Sequence, residues 1–315
     1  MKKVVILGGG TGMSTLLSGL KNFPIDITAV VSVCDDGKST GRLRKEFNKP
    51  AMGDIRKVLV SLSETEPLVE ELLNYRFNTT SDLNGHTVGN LLLTAISNIT
   101  GNMSDGIKSL SKILNLKGTV LPLTEDNVTL VGEMIDGTKI LGEHNITESN
   151  KAIKKVYYKE EPIVCPSVIK AIKESDLIIC SMGSLYTSII PNLLCREVIK
   201  TLDSINTKIM YICNMVTQPG ETDNMKTSDH LKIINSYLGK HKIDILVANE
   251  GKISNEIASK YSNLEQKDPV ILDKKNIENM NTELITNNYV TIKDDLIRHN
   301  VDKLSIDIYS YLVRW

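Results

Sequence analysis

Apolar residues follow two different periods along this chain. Short runs rich in β-branched residues alternate with longer stretches in which apolar residues recur every three or four positions. The short runs are typical of buried strands, and the longer stretches of helices that cover a sheet. Their alternation predicts an α/β fold, a doubly wound and mostly parallel sheet with right-handed crossovers and helices on both faces. Predicted strands are residues 3–7, 27–33, 177–180, 208–213, 243–247 and 289–292. Predicted helices are residues 55–62, 68–75, 88–97, 105–114, 166–174, 195–202 and 228–238.

The interval 119–158 differs from the rest because it carries a hairpin signal. Asp136-Gly137 separates apolar segments at 127–134 and 138–142, and a further segment follows at 153–158. An Asp-Gly pair between such segments favours a tight β-turn. We therefore expect one domain over residues 1–315, with an antiparallel β extension around residues 119–158. The tail after Asn249 is less patterned, and we interpret it as solvated surface that ends in an amphipathic helix around residues 304–313.

The first predicted strand runs directly into a glycine-rich turn. Gly8, Gly9, Gly10 and Gly12 surround Thr11, and leucines at helical spacing follow. In a strand–turn–helix unit of this kind, free backbone N–H groups and the helix dipole attract anions. The turn is also a common way to pack a helix tightly onto a sheet. The motif matches neither GxGxxG nor the Walker pattern, so both interpretations stay open, with a phosphate or diphosphate cradle as our prediction.

A second polar cluster follows the second predicted strand, where a doubly wound sheet places its ligands. Asp35 and Asp36 can bind Mg²⁺ or sugar hydroxyls, and Arg42 can contact phosphate oxygens. The alternative is an acidic turn before a helix that is capped by Ser39 or Thr40.

Two further polar residues stand at helix entries. Asp54 precedes the predicted helix 55–62 and is either its cap or a ligand. His86 stands four residues before Asn90, a spacing that would place both on one helix face. His86 can transfer a proton or donate to a phosphate, and the alternative is a capping turn.

Polar residues also follow two later strands. Gly183 and Ser184 form a second strand-to-helix turn, suited to an anionic or carbonyl group. A hydrolase is not indicated, because GxSxG is absent and no base for Ser184 is evident. Asn214, Gln218 and Glu221 surround a Pro-Gly turn after residues 208–213, and their side chains suit recognition of a base or sugar.

Composition excludes several classes of protein. The formal net charge is −1, without a long basic block, and there are three Phe, one Trp and ten Tyr, so nucleic-acid binding is not expected. No stretch reaches the roughly 20 apolar residues of a membrane span, and the start of the chain lacks the features of a signal peptide. The five cysteines are scattered and form no CxxC pair, which favours buried thiols in a reducing cytoplasm.

Taken together, the polar segments resemble the family that contains 2-phospho-L-lactate transferase (CofD) and the bacterial gluconeogenesis-factor proteins (YvcK type). The matching blocks stand in family order from residue 8 to about residue 230; they are GGGTG, DDGKSTGRLR, GDIRKVL, YRF, GHTVGNLL, GSLYTSIIPNLL, NMVTQPGETDNM and SDH. The last sixty or so residues carry no block of the family.

The resemblance implies a Rossmann-like core with a site for a phosphorylated or nucleotide-linked ligand. It implies that Gly9, Thr11 and Gly12 contact the diphosphate. Further residues that it implies for the site are Asp35, Asp36, Asp54, His86, Asn90 and Asn214. The residues that we predict to bind a ligand are Gly8, Gly9, Gly10, Thr11, Gly12, Asp35, Asp36, Ser39, Arg42, Asp54, His86, Asn90, Gly183, Ser184, Asn214, Gln218 and Glu221.

Two functions follow from the two branches of the family. DDGKSTGRLR and GSLYTSIIPNLL are more similar to the gluconeogenesis-factor branch, which implies a cytoplasmic regulatory protein that binds UDP-sugars and supports cell shape and wall metabolism. The transferase branch implies a Mg²⁺-dependent phospholactyl transfer to a deazaflavin acceptor, with Asp35 and Asp54 as metal ligands. The sequence leaves open whether a reaction is catalysed. If one is, the candidates for catalytic residues are Asp35, Asp54 and His86. A homodimer is expected in either case.

Three positions depart from the family pattern. The family has glycine where Lys38 stands, proline where Met52 stands, and Gly-Pro where Ser181-Met182 stands. Lys38 places a cation beside the acidic pair, where it can replace or repel a metal ion. Ser181-Met182 changes the backbone freedom just before the second glycine turn.

Overall fold

A computed structural model gives the fold of the 315-residue chain and describes residues 1–293 and 296–314. Seven parallel strands form the main sheet, in the order β10-β9-β8-β7-β1-β2-β3. The strands of this sheet are β1 (Lys2–Gly8), β2 (Ile25–Val31), β3 (Thr119–Pro122), β7 (Leu177–Cys180), β8 (Ile209–Ile212), β9 (Ile245–Asn249) and β10 (Glu283–Asn287). Five smaller strands lie outside it: β4 (Leu130–Met134), β5 (Lys139–Leu141), β6 (Ile153–Tyr158), β11 (Val290–Lys293) and β12 (Leu296–His299). The predicted α/β class with a mostly parallel sheet is confirmed.

The central strands are apolar because both of their faces are covered. β7 and β8 are buried at every residue, and β1 is buried from Val4 to Gly8. Continuous apolar runs of this kind are typical of parallel strands packed on both faces. The chain runs outward from β1 to β3, then returns to the other side of β1 with β7. The strand order therefore reverses between β1 and β7.

Helices occupy most of the connections between strands. Those of the first half are α1 (Gly10–Leu20), α2 (Lys38–Phe47), α3 (Gly53–Leu62), α4 (Pro67–Asn74), α5 (Val88–Thr100), α6 (Met103–Ile113) and α7 (Glu143–Thr147). Those of the second half are α8 (Pro166–Lys173), α9 (Arg196–Asp203), α10 (Thr227–Tyr237), α11 (Asn255–Glu265), α12 (Lys274–Glu278) and α13 (Val301–Val313). After β7 the chain forms a π-helical turn (Leu185–Ile189) that continues as a 3₁₀ turn (Ile190–Leu193).

The hairpin signal at Asp136-Gly137 corresponds to the turn between β4 and β5. These strands pair antiparallel, and β6 pairs antiparallel with the other edge of β4. Gly137 has a φ of +83° and its N–H donates to the Met134 carbonyl. β3 lies in the same interval of sequence, yet it is the parallel edge strand of the main sheet. The assignment of residues 1–315 to one domain stays a prediction.

The tail contains more structure than the sequence indicated. The predicted strand 289–292 corresponds to β11, but β11 pairs antiparallel with β12 and takes no part in the main sheet, so this part of the prediction was wrong. The expected C-terminal helix is present as α13, which packs against α1. β10 is an edge strand of the main sheet that the sequence pattern did not predict.

One large apolar cluster fills the interior, and a small second cluster lies beside it. The second cluster consists of Met215, Tyr261 and Ile297, with partly buried apolar neighbours. All five cysteines are buried free thiols, as the sequence predicted. Among the residues that the structure describes, no helix has the length and apolar character to cross a membrane.

Candidate functional site

A cleft of about 560 Å³ opens at the carboxyl ends of β1, β2, β7 and β8. This position is the point where the strand order reverses, and it is where doubly wound sheets bind their ligands. The cleft brings together ten of the residues predicted from sequence: Gly9, Gly10, Thr11, Gly12, Asp35, Asp54, Gly183, Ser184, Asn214 and Gln218. Seven predicted residues do not line it: Gly8, Asp36, Ser39, Arg42, His86, Asn90 and Glu221.

The glycine turn forms the first wall of the cleft and begins α1 earlier than the leucine spacing indicated. α1 starts at Gly10, which has a φ of +66°, a conformation that favours glycine. Gly12 has a different reason to be glycine, because a Cβ there would lie 2.2 Å from the Met182 carbonyl oxygen. The turn therefore packs α1 tightly against the loop after β7 and also presents the first-turn N–H groups to the cleft.

Acidic side chains form the second wall. Asp54 lies in the first turn of α3, and Met52 occupies the N-cap position, so of the two alternatives for Asp54 the structure contradicts the cap. Its carboxylate accepts a hydrogen bond from the Lys57 ammonium at 3.0 Å and one from the Gly10 backbone. Burial raises the pKa of Asp54, Lys57 opposes that shift, and the neighbouring Asp35 adds to it.

Glu143, the first residue of α7, faces the same two carboxylates. Burial and the charges of Asp35 and Asp54 raise the pKa of Glu143 to about 8, although a hydrogen bond from Thr187 opposes the rise. At neutral pH the Glu143 carboxyl is therefore largely protonated and can donate a hydrogen bond. No sequence pattern indicated this residue, since it comes from the antiparallel extension and not from a strand end of the main sheet.

The acidic wall does not form a ready-made metal site. Within residues 1–293 and 296–314, no group of three or more His, Cys, Asp or Glu side chains is arranged to hold a metal ion. Asp35 and Asp54 are near enough to interact electrostatically. Two carboxylates suit Mg²⁺ when the phosphates of a ligand and water complete its coordination.

The loop after β7 forms the third wall and is fixed by the loop after β8. The Asn214 amide accepts from the Gly183 N–H at 3.0 Å and donates to the Gly183 carbonyl at 2.6 Å. Ser184 accepts from the Thr187 N–H and donates to the buried Glu221 carboxylate at 2.5 Å. Glu221 therefore acts behind the cleft by positioning Ser184. Burial raises the pKa of Glu221, and these hydrogen bonds oppose the rise.

Four residues of the tail after Asn249 line one side of the cleft, and we call them the cover. For these residues the interpretation of the tail as solvated surface was wrong. Lys267, Ile297, Arg298 and His299 all line the cleft. The Ile297 N–H donates to the Tyr261 hydroxyl at 2.9 Å, which connects β12 to α11. Burial lowers the pKa of His299 to about 4, so this imidazole is neutral at physiological pH.

Thirteen residues of the cleft were missed from the sequence. They are Thr15, Lys57, Glu143, Thr147, Met182, Thr187, Ser188, Met215, Val216, Lys267, Ile297, Arg298 and His299. Lys57 had a usable signal, since it stands three residues after Asp54 on a predicted helix. Residues 296–299 (Leu-Ile-Arg-His) show no regular alternation, so the sequence gave no such signal for Arg298.

His86, Asn90 and Ser39 form a separate buried cluster. Ser39 Oγ lies 2.9 Å from His86 Nδ1, and the Asn90 amide donates to Ser39 at 3.3 Å. α2 begins at Lys38 after Gly37, so neither Ser39 nor Thr40 caps it. His86 precedes α5 and Thr87 caps that helix, so His86 and Asn90 do not share a helix face. Burial lowers the pKa of His86, and the charge of Arg42 lowers it further.

The remaining predicted residues have structural contacts. Arg42 donates hydrogen bonds to the carbonyls of Asp82 and Asn84. Asp36 accepts from the His144 N–H at 2.8 Å and so holds α7 over the start of α2. A Cβ at Gly8 would lie 2.0 Å from Ser181 Oγ.

The three departures from the family pattern have distinct local consequences. Lys38 is exposed with a φ of +42°, a conformation that the family's glycine adopts more readily. Met52 has a φ of −107°, outside the range of proline, and its sulfur accepts from the Thr94 hydroxyl. The hydroxyl of Ser181 is buried without a hydrogen-bond partner in the described part of the chain.

Comparisons with known proteins identify the family of the chain and agree with its fold. The family model described as 2-phospho-L-lactate transferase CofD matches residues 4–290. The gluconeogenesis factor of Bacillus subtilis (strain 168) is 46% identical over 304 residues, which is 96% of each chain. The gluconeogenesis factor of Listeria monocytogenes is 38% identical over 311 residues, covering 98% of this chain and 95% of that protein. A crystal structure of a UPF0052-family protein from Bacillus halodurans has a TM-score of 0.94 at 43% identity, covering 98% of this chain and 99% of that chain.

Proposed function

The chain belongs to the family of 2-phospho-L-lactate transferase CofD, and we propose that it is a gluconeogenesis factor that binds UDP-sugars. In this proposal it is a cytoplasmic regulatory protein that responds to UDP-N-acetylglucosamine or UDP-glucose. It supports cell shape and wall metabolism during growth on gluconeogenic carbon sources. The proposal draws on full-length similarity to proteins named gluconeogenesis factors and on the chemistry of the cleft.

The arrangement of charge in the cleft is the observation that carries the proposal. The N-terminus of α1 lies on one side, and the cover contributes Arg298 together with Lys267, whose ammonium also pairs with Glu265. A diphosphate suits this arrangement, because helix N-termini and guanidinium groups both attract phosphate oxygens. The cleft volume of about 560 Å³ is in the range of small-molecule sites.

Polar groups in the cleft also suit the two ends of a UDP-sugar. Oε1 of Gln218 is buried without a hydrogen-bond partner in the described part of the chain. It can accept from a base N–H such as that of uracil. The carboxylates of Asp35 and Asp54 can accept from sugar hydroxyls. The cleft therefore contains acceptors that suit a nucleotide base and acceptors that suit a sugar.

Titration calorimetry of the full chain tests the proposal directly. We expect binding of UDP-N-acetylglucosamine or UDP-glucose that is independent of Mg²⁺ and stronger than binding of GDP. Arg298→Ala should weaken the affinity at least tenfold through loss of a charged contact to phosphate. Arg196→Ala is the matched control, since Arg196 pairs with Glu161 outside the cleft. Absence of heat with both UDP-sugars at millimolar concentration would contradict the proposal.

A second candidate function rests on the acidic pair beside the glycine turn. Asp35 and Asp54 would hold Mg²⁺ in a phospholactyl transfer from a guanosine diphosphate-linked donor to a deazaflavin alcohol. This function predicts Mg²⁺-dependent binding of GDP, which Asp54→Asn abolishes. It also requires a host that makes deazaflavins. Binding of GDP that does not depend on Mg²⁺ would count against it.

A further inference from the structure

Lys57 lies where the glycine turn and the acidic wall of the cleft meet. Its ammonium lies 3.0 Å from Oδ1 of Asp54, three residues earlier on α3, and both residues line the cleft. The side chain of Asp54 is 13% exposed and that of Lys57 is 36% exposed. In the described part of the chain, Asp54 is the hydrogen-bond partner of this ammonium and no other is present. An ammonium has three N–H donors, so two of them are available to an anion in the cleft.

The Asp54 carboxylate holds this ammonium close to the start of α1. The carboxylate also accepts a hydrogen bond from the Gly10 backbone. A Cβ at Gly9 would lie 2.9 Å from Asp54 Oδ2, and a Cβ at Gly10 would lie 3.7 Å from the same oxygen. The carboxylate therefore connects the glycine turn to Lys57, so the cation and the first-turn N–H groups of α1 lie at the same end of the cleft.

A diphosphate that binds at the glycine turn needs a cation on its acidic side. Asp35 and Asp54 would stand beside its negatively charged oxygens, and like charges repel strongly where water is partly excluded. The N-terminus of α1 contributes about half a positive charge, which does not offset two carboxylates. Nucleotide sites often supply the missing charge as Mg²⁺, bound through one or two carboxylates and the phosphates of the ligand.

The oxygens that such an ion would use already have partners in this chain. Oδ1 of Asp54 accepts from Lys57, and Oδ1 of Asp35 accepts from the Gly37 N–H at 2.9 Å. A Cβ at Gly53 would lie 2.7 Å from Oδ2 of Asp35, so this oxygen is packed against the start of α3. Mg²⁺ requires near-octahedral oxygen coordination at about 2.1 Å. An ion bound to Oδ1 of Asp54 would have to displace the Lys57 ammonium.

We propose that the Lys57 ammonium takes the place of a divalent cation in this cleft. It donates to the Asp54 carboxylate and to a phosphate oxygen of the ligand, which makes the binding of a diphosphate independent of Mg²⁺. The inference rests on the proposed function in one respect, that a diphosphate enters the cleft. Lys57 thereby has the role that the sequence suggested for Lys38, which is exposed and does not line the cleft.

Titration calorimetry of the full chain with inorganic pyrophosphate tests this role of Lys57. Pyrophosphate has neither a base nor a sugar, so its binding reports on the diphosphate contacts alone. We expect the affinity of the wild type in EDTA to lie within about threefold of its affinity in about 5 mM Mg²⁺. Lys57→Gln should bind about tenfold more weakly in EDTA, because a charged contact to phosphate is lost. Mg²⁺ should restore the affinity of this variant to within about threefold of wild type, because the ion can then use the free Asp54 carboxylate.

Three further variants isolate the effect of the cation. Lys57→Arg keeps the charge and should bind independently of Mg²⁺. In Lys57→Gln combined with Asp54→Asn, Mg²⁺ should no longer restore binding, since the carboxylate that would hold the ion is gone. Lys232→Gln is the matched control and should bind as the wild type does, because Lys232 pairs with Asp229 at the same spacing, at 3.2 Å, on α10 outside the cleft. Circular dichroism verifies that each variant is folded.

The same titrations with UDP-N-acetylglucosamine and UDP-glucose separate this inference from the proposed function. If the variants behave as expected with pyrophosphate but the wild type binds neither UDP-sugar, the proposed function fails and the inference stands. If the wild type binds a UDP-sugar but Lys57→Gln binds pyrophosphate as tightly as wild type in EDTA, the inference alone is overturned. A wild type that binds pyrophosphate only with Mg²⁺, or not at all, would overturn it too, as would a Lys57→Gln variant that Mg²⁺ does not restore.

Discussion

Gly12 shows how one residue connects the two halves of the cleft. A Cβ at this position would lie 2.2 Å from the Met182 carbonyl oxygen and 2.9 Å from Gly183 Cα. Both are backbone atoms, so α1 or the loop after β7 would have to move. We expect Gly12→Ala to lower the free energy of unfolding by about 3 kcal/mol, measured by urea denaturation. The function of Gly12 in packing therefore does not depend on its predicted contact with a diphosphate.

The control for this prediction is Gly137→Ala in the β4–β5 turn. Gly137 has a φ of +83°, but a Cβ there meets nothing within 4 Å. This variant therefore carries only the backbone strain of a left-handed residue, about 1–2 kcal/mol. Equal losses in the two variants would mean that α1 does not pack against the loop as tightly as the structure shows.

The raised pKa of Glu143 makes the free energy of unfolding depend on pH, and the surroundings of the carboxyl set the sign of this dependence. Burial, Asp35 and Asp54 raise its pKa in the folded state to about 8, above the ordinary value of 4.5. Between these two pH values the folded chain retains a proton that the unfolded chain has released. Stability from this group therefore falls as pH rises from about 4.5 to about 8, by at most about 1.4 kcal/mol per pH unit.

Urea denaturation at pH 5, 6, 7 and 8 measures this contribution. Glu143→Gln has no titrating proton at this position, so the difference in stability between variant and wild type should grow in favour of the variant as pH rises. Glu148→Gln, an exposed acid that follows α7, serves as the control and should keep the wild-type profile. A constant difference between Glu143→Gln and wild type across this range would contradict the assigned pKa.

The cover of the cleft depends on a hydrogen bond between β12 and α11. β12 pairs with β11, and its contacts with the body include the small cluster of Met215, Tyr261 and Ile297, the hydrogen bond that the Ile297 N–H donates to Tyr261, and the contact of His299 Nε2 with the Cys213 carbonyl at 3.3 Å. Tyr261→Phe removes the acceptor and leaves a buried N–H unsatisfied, which costs about 1–3 kcal/mol. We expect faster hydrogen exchange at the Ile297 amide and weaker ligand binding.

Tyr309→Phe is the control for the cover, because Tyr309 contacts Phe23 by its ring, away from the cleft. This variant should leave exchange at Ile297 unchanged. If exchange at the Ile297 amide stays at the wild-type rate in Tyr261→Phe as well, then the hydrogen bond to Tyr261 does not hold the cover in place.

At the scale of elements, the sequence predicted the five central strands of the main sheet and missed its two edge strands, β3 and β10, together with β12. β7 was predicted with its observed bounds, because every residue in it is apolar and buried. The sequence pattern did not predict β10 and β12, because the edge strand and the strand of the cover both mix polar with apolar residues. Lys267 and Arg298 were not predicted as site residues for the same reason. No regular apolar pattern indicates that a polar tail folds back over a cleft.

At the scale of the whole molecule, topology explains which site residues could be predicted. Asp35, Gly183 and Asn214 all follow parallel strands, and parallel strands bring their carboxyl ends to one edge, so sequence position alone placed them together. His86 and Ser39 do contact each other, but they follow loops whose path depends on tertiary packing. Their place outside the cleft could not be read from strand order.

The cleft spans the reversal in strand order, so a ligand should stabilise both halves of the sheet together. At 100 times its dissociation constant, a UDP-sugar adds about 2.7 kcal/mol to the free energy of unfolding. For a chain of this length that corresponds to a rise of about 4 °C in Tm. We expect calorimetry to show one transition that moves as a whole. Two transitions, of which only one responds, would mean that the halves on either side of β1 and β7 unfold separately, and would contradict the prediction of one domain over residues 1–315.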